Sequence, residues 1–188
     1  MEEKEIEFKS LLTKEEYQKI YKYFNLKEEK NIINENYYYD DKKNTLKNNN
    51  IALRIRKNGN KKEITLKIKK NKFNLEINNE TNIEPIKKID FKVCPQEISD
   101  KLKEIKCLEH LYLISEIVTF RKEKKLQTGL LVLDKTIFLN NKEDYELEFE
   151  VNDYEGGQES FKNLLKELSI NYKKSAPKIK RSLDFLKN

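Results

Sequence analysis

Charged and aliphatic residues alternate along much of this chain, and the alternation constrains the fold more than any other feature of the sequence. The clearest case is Tyr145-Glu146-Leu147-Glu148-Phe149-Glu150-Val151. Successive side chains of a β-strand point to opposite faces, so such a segment places its charges on one face and its apolar residues on the other. Seven segments follow the pattern, at residues 3–9, 51–56, 64–69, 74–80, 117–121, 129–135 and 145–151. They predict an antiparallel sheet with one packed face and one charged face.

The charges on these segments are sorted by sign. Acidic strands carry Glu5, Glu7, Glu76, Glu80, Glu146, Glu148 and Glu150, and basic strands carry Arg54, Arg56, Lys67, Lys69 and Arg121. A solvent-facing side with assorted polar residues is the ordinary interpretation of any one strand. Like charges two residues apart repel each other, however, unless a counter-ion or ligand lies between them. The sorted rows therefore predict that each row has a charged partner.

A closed sheet would bring the acidic and the basic rows together on its inner face. We predict an α+β fold built on an eight-stranded antiparallel closed β-barrel, a tunnel with a charged interior and helices packed outside, in a single domain over residues 1–188. Because burying so many charges is costly, the interior must be wet or hold a charged ligand. Carboxylates suit a divalent metal ion, and arginine and lysine suit phosphate oxygens.

Helices and turns are expected between the strands. A capping box at Thr13-Lys14-Glu15-Glu16 predicts a helix over residues 14–24, and Pro95 is expected at the first position of another. Two more helices are expected, one after Gly156-Gly157 and one from Pro177 to Leu186. The remaining expectations are a strand at 36–40, a hairpin turn at 58–60, a basic turn at the end of the strand at 117–121, a turn at 140–141, and a helix broken near Pro85 within 83–93.

Composition excludes several kinds of chemistry. The chain has 188 residues, a net charge of +6, a single histidine, His110, and two cysteines, Cys94 and Cys107. The cysteines form no metal or redox motif, His110 is expected in an exposed turn, and no phosphate-binding glycine loop is present. No apolar run is long enough to cross a membrane, and no signal peptide is evident, so a cytoplasmic location is expected. Carboxylates, lysines and arginines remain as the groups that could bind a ligand or take part in catalysis.

Eight short motifs resemble, in order, those of the CYTH superfamily, also called the triphosphate tunnel metalloenzymes. They are Glu5-Ile6-Glu7-Phe8-Lys9, Asn36-Tyr37-Tyr38-Tyr39-Asp40, Ala52-Leu53-Arg54-Ile55-Arg56, Thr65-Leu66-Lys67, Thr119-Phe120-Arg121, Leu133-Asp134-Lys135, Asp144-Tyr145-Glu146-Leu147-Glu148 and Ser175-Ala176-Pro177-Lys178-Ile179-Lys180-Arg181. The resemblance covers nearly the whole chain and implies an eight-stranded antiparallel tunnel. Two departures stand out: Asp41 occupies a position where Thr or Ser is usual, and residues 81–95 align poorly.

The resemblance also implies roles for individual residues. The implied metal ligands, for Mg²⁺ or Mn²⁺, are Glu5, Glu7, Asp134, Glu146 and Glu148. The implied substrate-binding residues are Lys9, Arg54, Arg56, Lys67, Lys69, Arg121, Lys178 and Arg181. The residues expected to take part directly in catalysis are Glu5, Glu7, Lys9, Arg54, Arg56 and Glu148. A second metal ion, or a carboxylate such as Glu5 or Glu148, would position or deprotonate the attacking water.

The expected function is metal-dependent hydrolysis of a linear triphosphate, with inorganic tripolyphosphate as the favoured substrate. An adenylate cyclase or a thiamine or nucleoside triphosphatase of the same superfamily is the enzymatic alternative. A non-catalytic module that binds polyphosphate or RNA is the third alternative, although paired glutamate rows would repel nucleic acid. We expect a small polyanionic substrate and no membrane partner, and the sequence leaves a monomer and a homodimer equally open.

Overall fold

The computed structural model describes residues 2–139 and 141–186. The strands of this part of the chain are β1 (Glu2–Leu12), β2 (Ile32–Asp40), β3 (Ile51–Asn58), β4 (Lys61–Lys69), β5 (Asn74–Glu80), β6 (Lys88–Asp90), β7 (His110–Leu126), β8 (Gly129–Phe138) and β9 (Glu143–Val151). Its helices are α1 (Lys14–Tyr23), α2 (Thr45–Asn48), α3 (Gln96–Glu104), α4 (Tyr154–Glu167) and α5 (Lys178–Phe185). The predicted turn at 140–141 includes residue 140, which lies outside the described residues.

The strands form one sheet in the order β2-β3-β4-β5-β1-β9-β8-β7-β6, and an additional pairing joins β2 to β7. That pairing closes eight strands and leaves β6 outside the closed set. The predicted eight-stranded antiparallel barrel with accompanying helices is therefore confirmed. All seven alternating segments lie in strands, as their period of two predicted.

The chain divides into two compact units. The first contains Glu35–Ile117 with the N-terminal end of β1, and its core joins the apolar faces of β3, β4 and β5 to α3. Leu53, Ile64 and Ile77 pack there with Ile98 and Leu102 of the helix. The alternation produces this core, because each strand sends its aliphatic residues to the helix and its charged residues to the other face.

The second unit contains Glu5–Asn34 and the residues from Val118 onward. Its core joins Leu133 of β8 and Leu147 and Phe149 of β9 to Ile20 of α1 and Phe161 of α4. The glutamates between these apolar positions of β9 consequently face away from the helices. The unit's apolar packing therefore fixes the orientation of Glu146 and Glu148.

Local sequence signals account for the helix ends. The capping box is confirmed, since Thr13 Oγ1 accepts from the Glu16 amide at 3.2 Å and Glu16 Oε2 accepts from the Thr13 amide at 2.7 Å. Pro95 is the residue before α3 rather than its first residue. The hairpin turn between β3 and β4 places Gly59 at a φ of 58°, a left-handed conformation that favours glycine.

Other predictions about local structure are wrong as well. Residues 83–93 contain no helix of the α type. They contain β6 and a 3₁₀ turn at Phe91–Val93, because Ile89 pairs with Leu111 of β7 and both Ile89 and Phe91 are buried in the core. The strand at 117–121 does not end in a turn but continues to Leu126, so Arg121 lies in its middle. Gly156 and Gly157 lie inside α4, where a Cβ on Gly157 would overlap Val151 and hold the helix away from β9.

His110 is exposed as predicted, but it starts β7 instead of lying in a turn. Cys94 and Cys107 are free and buried, and burial raises the pKa of each thiol to about 12. None of the helices in the described part of the chain combines the length and apolar character needed to cross a membrane.

Candidate active site

Three buried carboxylates of the second unit form an acidic cluster, consisting of Asp134 on β8 and Glu146 and Glu148 on β9. Asp134 lies directly opposite Glu146 in the strand register, and Glu148 follows two residues later on the same face. Each residue offers a carboxylate oxygen, and the three oxygens lie within 4.8 Å of one another. Three hard oxygen donors in one place suit Mg²⁺ or Mn²⁺, so the donor set fits a divalent ion.

Lys178, the first residue of α5, reaches all three members of the acidic cluster. Its Nζ lies 3.0 Å from Asp134 Oδ2, 2.5 Å from Glu146 Oε1 and 2.7 Å from Glu148 Oε1. Burial lowers the pKa of Lys178, but the three carboxylates outweigh it and raise the pKa well above its ordinary value. Lys178 is therefore a fully charged counter-ion of the cluster.

Arg121 is the second counter-ion. Its Nε and Nη2 donate to the two oxygens of Asp134, each at 2.8 Å, and Nη2 also donates to Glu148 Oε2 at 2.8 Å. Burial opposes the charged form of both carboxylates, yet Arg121 and Lys178 hold the pKa of Asp134 and of Glu148 below their ordinary values. Both carboxylates are therefore ionised at neutral pH.

Arg181 joins the cluster to its own helix and to Ser175. Its Nε donates to Asp144 Oδ2 at 2.7 Å, and Nη1 donates to Glu146 Oε2 at 2.9 Å and to Ser175 Oγ at 2.7 Å. Nη1 also contacts the Ala176 carbonyl, and Ser175 Oγ donates to Glu146. These bonds dock α5 on β9.

The predicted Glu-x-Glu-x-Lys segment lies on β1, beside β9. Lys9 is opposite Glu148 and Glu7 is opposite Glu150. Lys9 Nζ lies 2.8 Å from Glu7 Oε2 and 3.5 Å from Glu148 Oε1. Burial, together with the negative charges of Glu5, Glu148 and Glu7, raises the pKa of Glu150 to about 7 despite the opposing effect of Arg121. This end of the second unit thus carries more negative than positive charge.

The first unit carries a row of basic side chains on β3 and β4. Arg54 Nη2 donates to Thr65 Oγ1 at 3.1 Å, and Lys67 Nζ lies 2.9 Å from Glu76 Oε1. Although burial opposes it, Lys67 and Arg54 lower the pKa of Glu76. Lys69, at the end of β4, is exposed, and Glu80, at the end of β5, is exposed as well.

The structure brings together, within the second unit, the predicted residues Asp134, Glu146, Glu148, Lys9, Arg121, Lys178 and Arg181. It adds Ser175 and Asp144, and in the first unit Asn36 and Thr65, none of which had been given a role. Thr65 lies two residues before Lys67 and so shares its strand face, and the alternation of side chains between the two faces could have identified it. Asn36 carries no comparable signal, because the residues that share its strand face, Asn34 and Tyr38, belong to no charged row.

The unusual Asp40-Asp41 pair has a structural role. Asp40 accepts from the amides of Leu46 and Lys47 at 2.9 and 3.1 Å. Asp41 accepts from the Thr45 amide at 2.9 Å and from the Leu108 amide at 2.9 Å. The pair therefore organises the loop that carries α2, and Asp41 also fixes the chain leading into β7.

These features define a class: closed antiparallel β-barrel proteins with a buried, charge-compensated carboxylate cluster. The CYTH domain profile matches residues 3–183, and this chain belongs to the CYTH domain family. It is 35% identical over 181 residues to a Bacillus subtilis (strain 168) protein provisionally named triphosphatase YjbK, covering 96% of this chain and 94% of that protein.

Two solved structures have the same fold. One, from Bacillus halodurans and provisionally described as an adenylate cyclase, has a TM-score of 0.85 and 29% identity, with 96% of this chain and 97% of that chain covered. The other, from Hippeastrum, is an adenylyl cyclase candidate described as having a dominant triphosphatase activity; its TM-score is 0.72 and its identity 20%, with 98% and 96% covered.

Proposed function

We propose that this protein hydrolyses a linear triphosphate in a reaction that depends on a divalent metal ion, and that inorganic tripolyphosphate is its preferred substrate. The observation that carries the proposal is the acidic cluster of Asp134, Glu146 and Glu148, buried and in contact with lysine and arginine side chains. Membership of the CYTH family and similarity to a protein named as a triphosphatase support it.

The acidic cluster is the proposed metal site, with Glu5 and Glu7 of β1 as further ligands. Mg²⁺ or Mn²⁺ would supply charge neutralisation at the phosphate oxygens and lower the barrier to attack by water. Carboxylates held by buried strands keep their geometry without reorganisation during the reaction, which favours catalysis. Glu5 or Glu148 is proposed to orient the attacking water by accepting its hydrogen bond.

The cationic residues are proposed to bind and align the substrate. In the second unit these are Lys9, Arg121, Lys178 and Arg181, and in the first unit Arg54, Arg56, Lys67 and Lys69. Guanidinium groups donate two parallel hydrogen bonds to phosphate oxygens, and ammonium groups act as mobile point charges. Both reduce repulsion between the triphosphate and the carboxylates that hold the metal ion.

Phosphate release from a substrate panel tests the proposal. Purified protein would be incubated with tripolyphosphate, ATP, thiamine triphosphate and pyrophosphate, each with Mg²⁺, Mn²⁺ or a chelator. We expect the highest kcat/KM for tripolyphosphate, no turnover with the chelator, and loss of about 10²–10³ in kcat for Glu146→Gln. Turnover that persists in a folded Glu146→Gln protein, or that ignores the chelator, would refute the mechanism.

An adenylate cyclase is the second candidate, because the Bacillus halodurans structure at 29% identity is described in those terms. The same panel distinguishes the two, since a cyclase converts ATP to cyclic AMP and pyrophosphate without releasing orthophosphate. Polyphosphate binding without turnover and without metal would instead favour a non-catalytic binding module.

The family profile spans residues 3–183, which favours the proposal of a single CYTH domain over residues 1–188. The two buried cysteines are both free, which favours a reducing compartment and hence the cytoplasm.

A further inference from the structure

The ammonium group of Lys178 occupies the part of the acidic cluster in which a metal ion would find its ligands. Its three contacts, at 2.5–3.0 Å, go to the same three carboxylates that offer ligand oxygens within 4.8 Å of one another. We propose that Lys178 is a tethered substitute for the metal ion, and that a divalent ion enters the cluster only by displacing the Lys178 ammonium. This inference rests on the proposed function, because it concerns the metal site assigned there.

Occupancy of the ligand oxygens supports displacement over simple addition. Lys178 Nζ lies within 3.0 Å of one oxygen each of Asp134, Glu146 and Glu148. A divalent ion bound to the same oxygens would lie beside the ammonium with no carboxylate between them, and like charges at that distance repel each other. The Lys178 ammonium must therefore move when a metal ion binds these oxygens.

The individual oxygen atoms identify Lys178 as the cation that leaves. Arg121 is bonded to both oxygens of Asp134 and to Glu148 Oε2, and Arg181 is bonded to Glu146 Oε2. Lys178 lies against the other oxygen of each glutamate, Glu146 Oε1 and Glu148 Oε1, whereas Lys9 Nζ is farther from Glu148 Oε1, at 3.5 Å. When Lys178 moves away, Glu146 Oε1 and Glu148 Oε1 become available to a metal ion. Arg181 and Arg121 continue to hold the Oε2 atoms of the same two glutamates in place.

Lys178 can leave without undocking its helix. Arg181 anchors α5 to β9 through Asp144 Oδ2 at 2.7 Å and through Glu146 Oε2 at 2.9 Å, and neither bond involves Lys178. The segment before α5 is also fixed to β1, because the Leu11 amide donates to the Lys173 carbonyl at 3.0 Å. Lysine has a flexible four-carbon stem, so rotation of the side chain is enough to remove the ammonium.

A triphosphate gives the displaced ammonium a new partner. Phosphate oxygens attract Lys178 away from the carboxylates, and the vacated carboxylates then attract the metal ion. Binding of the metal ion and of the anion should therefore be positively coupled, each tightening the other by the same factor. Metal binding to the protein alone should be weak.

Mn²⁺ titration of the metal-free protein, followed by calorimetry or electron paramagnetic resonance, tests the displacement. In the absence of phosphate we expect Lys178→Met to bind Mn²⁺ about 10-fold or more tighter than the wild type. Lys178→Arg should stay close to the wild type because it retains a cation. Lys180→Met is the matched control, since Lys180 lies on the same helix but is exposed, and its affinity should not change. A folded Lys178→Met protein that binds Mn²⁺ no tighter than the wild type would overturn the proposal.

Wild-type protein provides a second test in case Lys178→Met does not fold. Only 14% of the Lys178 side chain is exposed, so acetylation of its amine, measured by mass spectrometry, should be slow without metal. Saturating Mn²⁺ should accelerate acetylation of Lys178 relative to Lys180, and an unchanged ratio would contradict displacement. Neither readout uses turnover. A protein without triphosphatase activity that still shows both effects would refute only the proposed function, whereas an active enzyme that lacks them would refute only the role of Lys178.

Discussion

Asn36 Oδ1 accepts a hydrogen bond from Arg56 Nε at 2.9 Å. The amide group of Asn36 also donates to the Ile117 carbonyl of β7, at 3.3 Å, and the whole side chain is buried. Because an amide held at both ends cannot rotate freely, Asn36 fixes the direction of the Arg56 guanidinium. Asn36 is thus a positioning residue for an arginine that we assign to substrate binding.

Asn36→Ala should leave Arg56 in place but remove the acceptor that orients its Nε. We expect kcat/KM for tripolyphosphate to fall by about 10-fold, equivalent to about 1.4 kcal/mol of transition-state stabilisation. Steady-state kinetics measure the effect, with Asn48→Ala as the control because Asn48 is exposed on α2. If Asn36→Ala lowers thermal stability but keeps full kcat/KM, the positioning role is excluded.

Arg121→Lys should separate charge from geometry. Arg121 donates to both oxygens of Asp134 and to Glu148, and a lysine ammonium cannot reproduce this planar arrangement. We expect kcat to fall on the order of 10²-fold although the charge is retained. Lys125→Arg, an exchange at an exposed position of the same strand, should leave kcat unchanged. Equal turnover of Arg121→Lys and the wild type would show that only the charge of Arg121 matters.

Asp134→Asn should destabilise the protein, because it leaves the buried charges of Arg121 and Lys178 without one of their partners. Removing one member of a buried ion pair costs about 3–5 kcal/mol. Urea unfolding measures the loss, and Asp100→Asn is the control: Asp100 pairs with Lys103 on the exposed surface of α3, where such a change costs less than about 1 kcal/mol. A loss for Asp134→Asn as small as that of the control would mean that water compensates the cluster.

Asp41 should govern part of the acid sensitivity of the fold. Burial opposes ionisation of Asp41, but hydrogen bonds from the amides of Leu108 and Thr45 outweigh burial and lower its pKa from 3.8 to about 2. A carboxyl whose pKa is lower in the folded state stabilises the fold above its unfolded pKa, and the contribution disappears as the pH falls through the folded pKa. The window is therefore pH 4 down to pH 2, and the contribution is about 2 kcal/mol.

Urea unfolding of Asp41→Asn and wild type at pH 6 and at pH 2 checks this window. The difference in the free energy of unfolding should be larger at pH 6 and should shrink toward pH 2. Asp40→Asn is the contrast, because burial raises the pKa of Asp40 and its ionisation disfavours the folded state, so its pH dependence has the opposite sign. A stability difference for Asp41→Asn that is independent of pH would contradict the assigned pKa.

The alternation of charged and apolar residues with a period of two made most of the fold predictable from the sequence. Glu146 and Glu148 alternate with Leu147 and Phe149, and a single burial pattern then orients the whole of β9. The structure of residues 83–93 was not predictable in this way, because β6 has only three residues, too few to show an alternating pattern. Pairing with β7, and not local propensity, determines its conformation. Gly156 and Gly157 were expected before the helix and lie inside it. Gly157 is needed because α4 packs closely on Val151, and this tertiary contact leaves no local signal in the sequence.

The candidate site was predictable in its carboxylates and cations but not in their partners. Repulsion within the Glu146–Glu148 row predicted a counter-ion, and sequence alone cannot tell a ligand from a side chain of the same protein. The structure supplies Lys178 and Arg121 as counter-ions. Ser175 and Asp144 belong to two of the sequence motifs, but their roles are not predictable from the sequence, because their bonds to Arg181 depend on how α5 docks.

The docking of α5 also has a consequence for biosynthesis. Strands β8 and β9 are synthesised before α5, so a growing chain contains Asp134, Glu146 and Glu148 before it contains two of the cations that later contact them. Uncompensated carboxylates resist burial. The second unit should therefore complete its packing only after α5 has been added, and a chain truncated between β9 and α5 should be cleaved by proteases faster than the full chain.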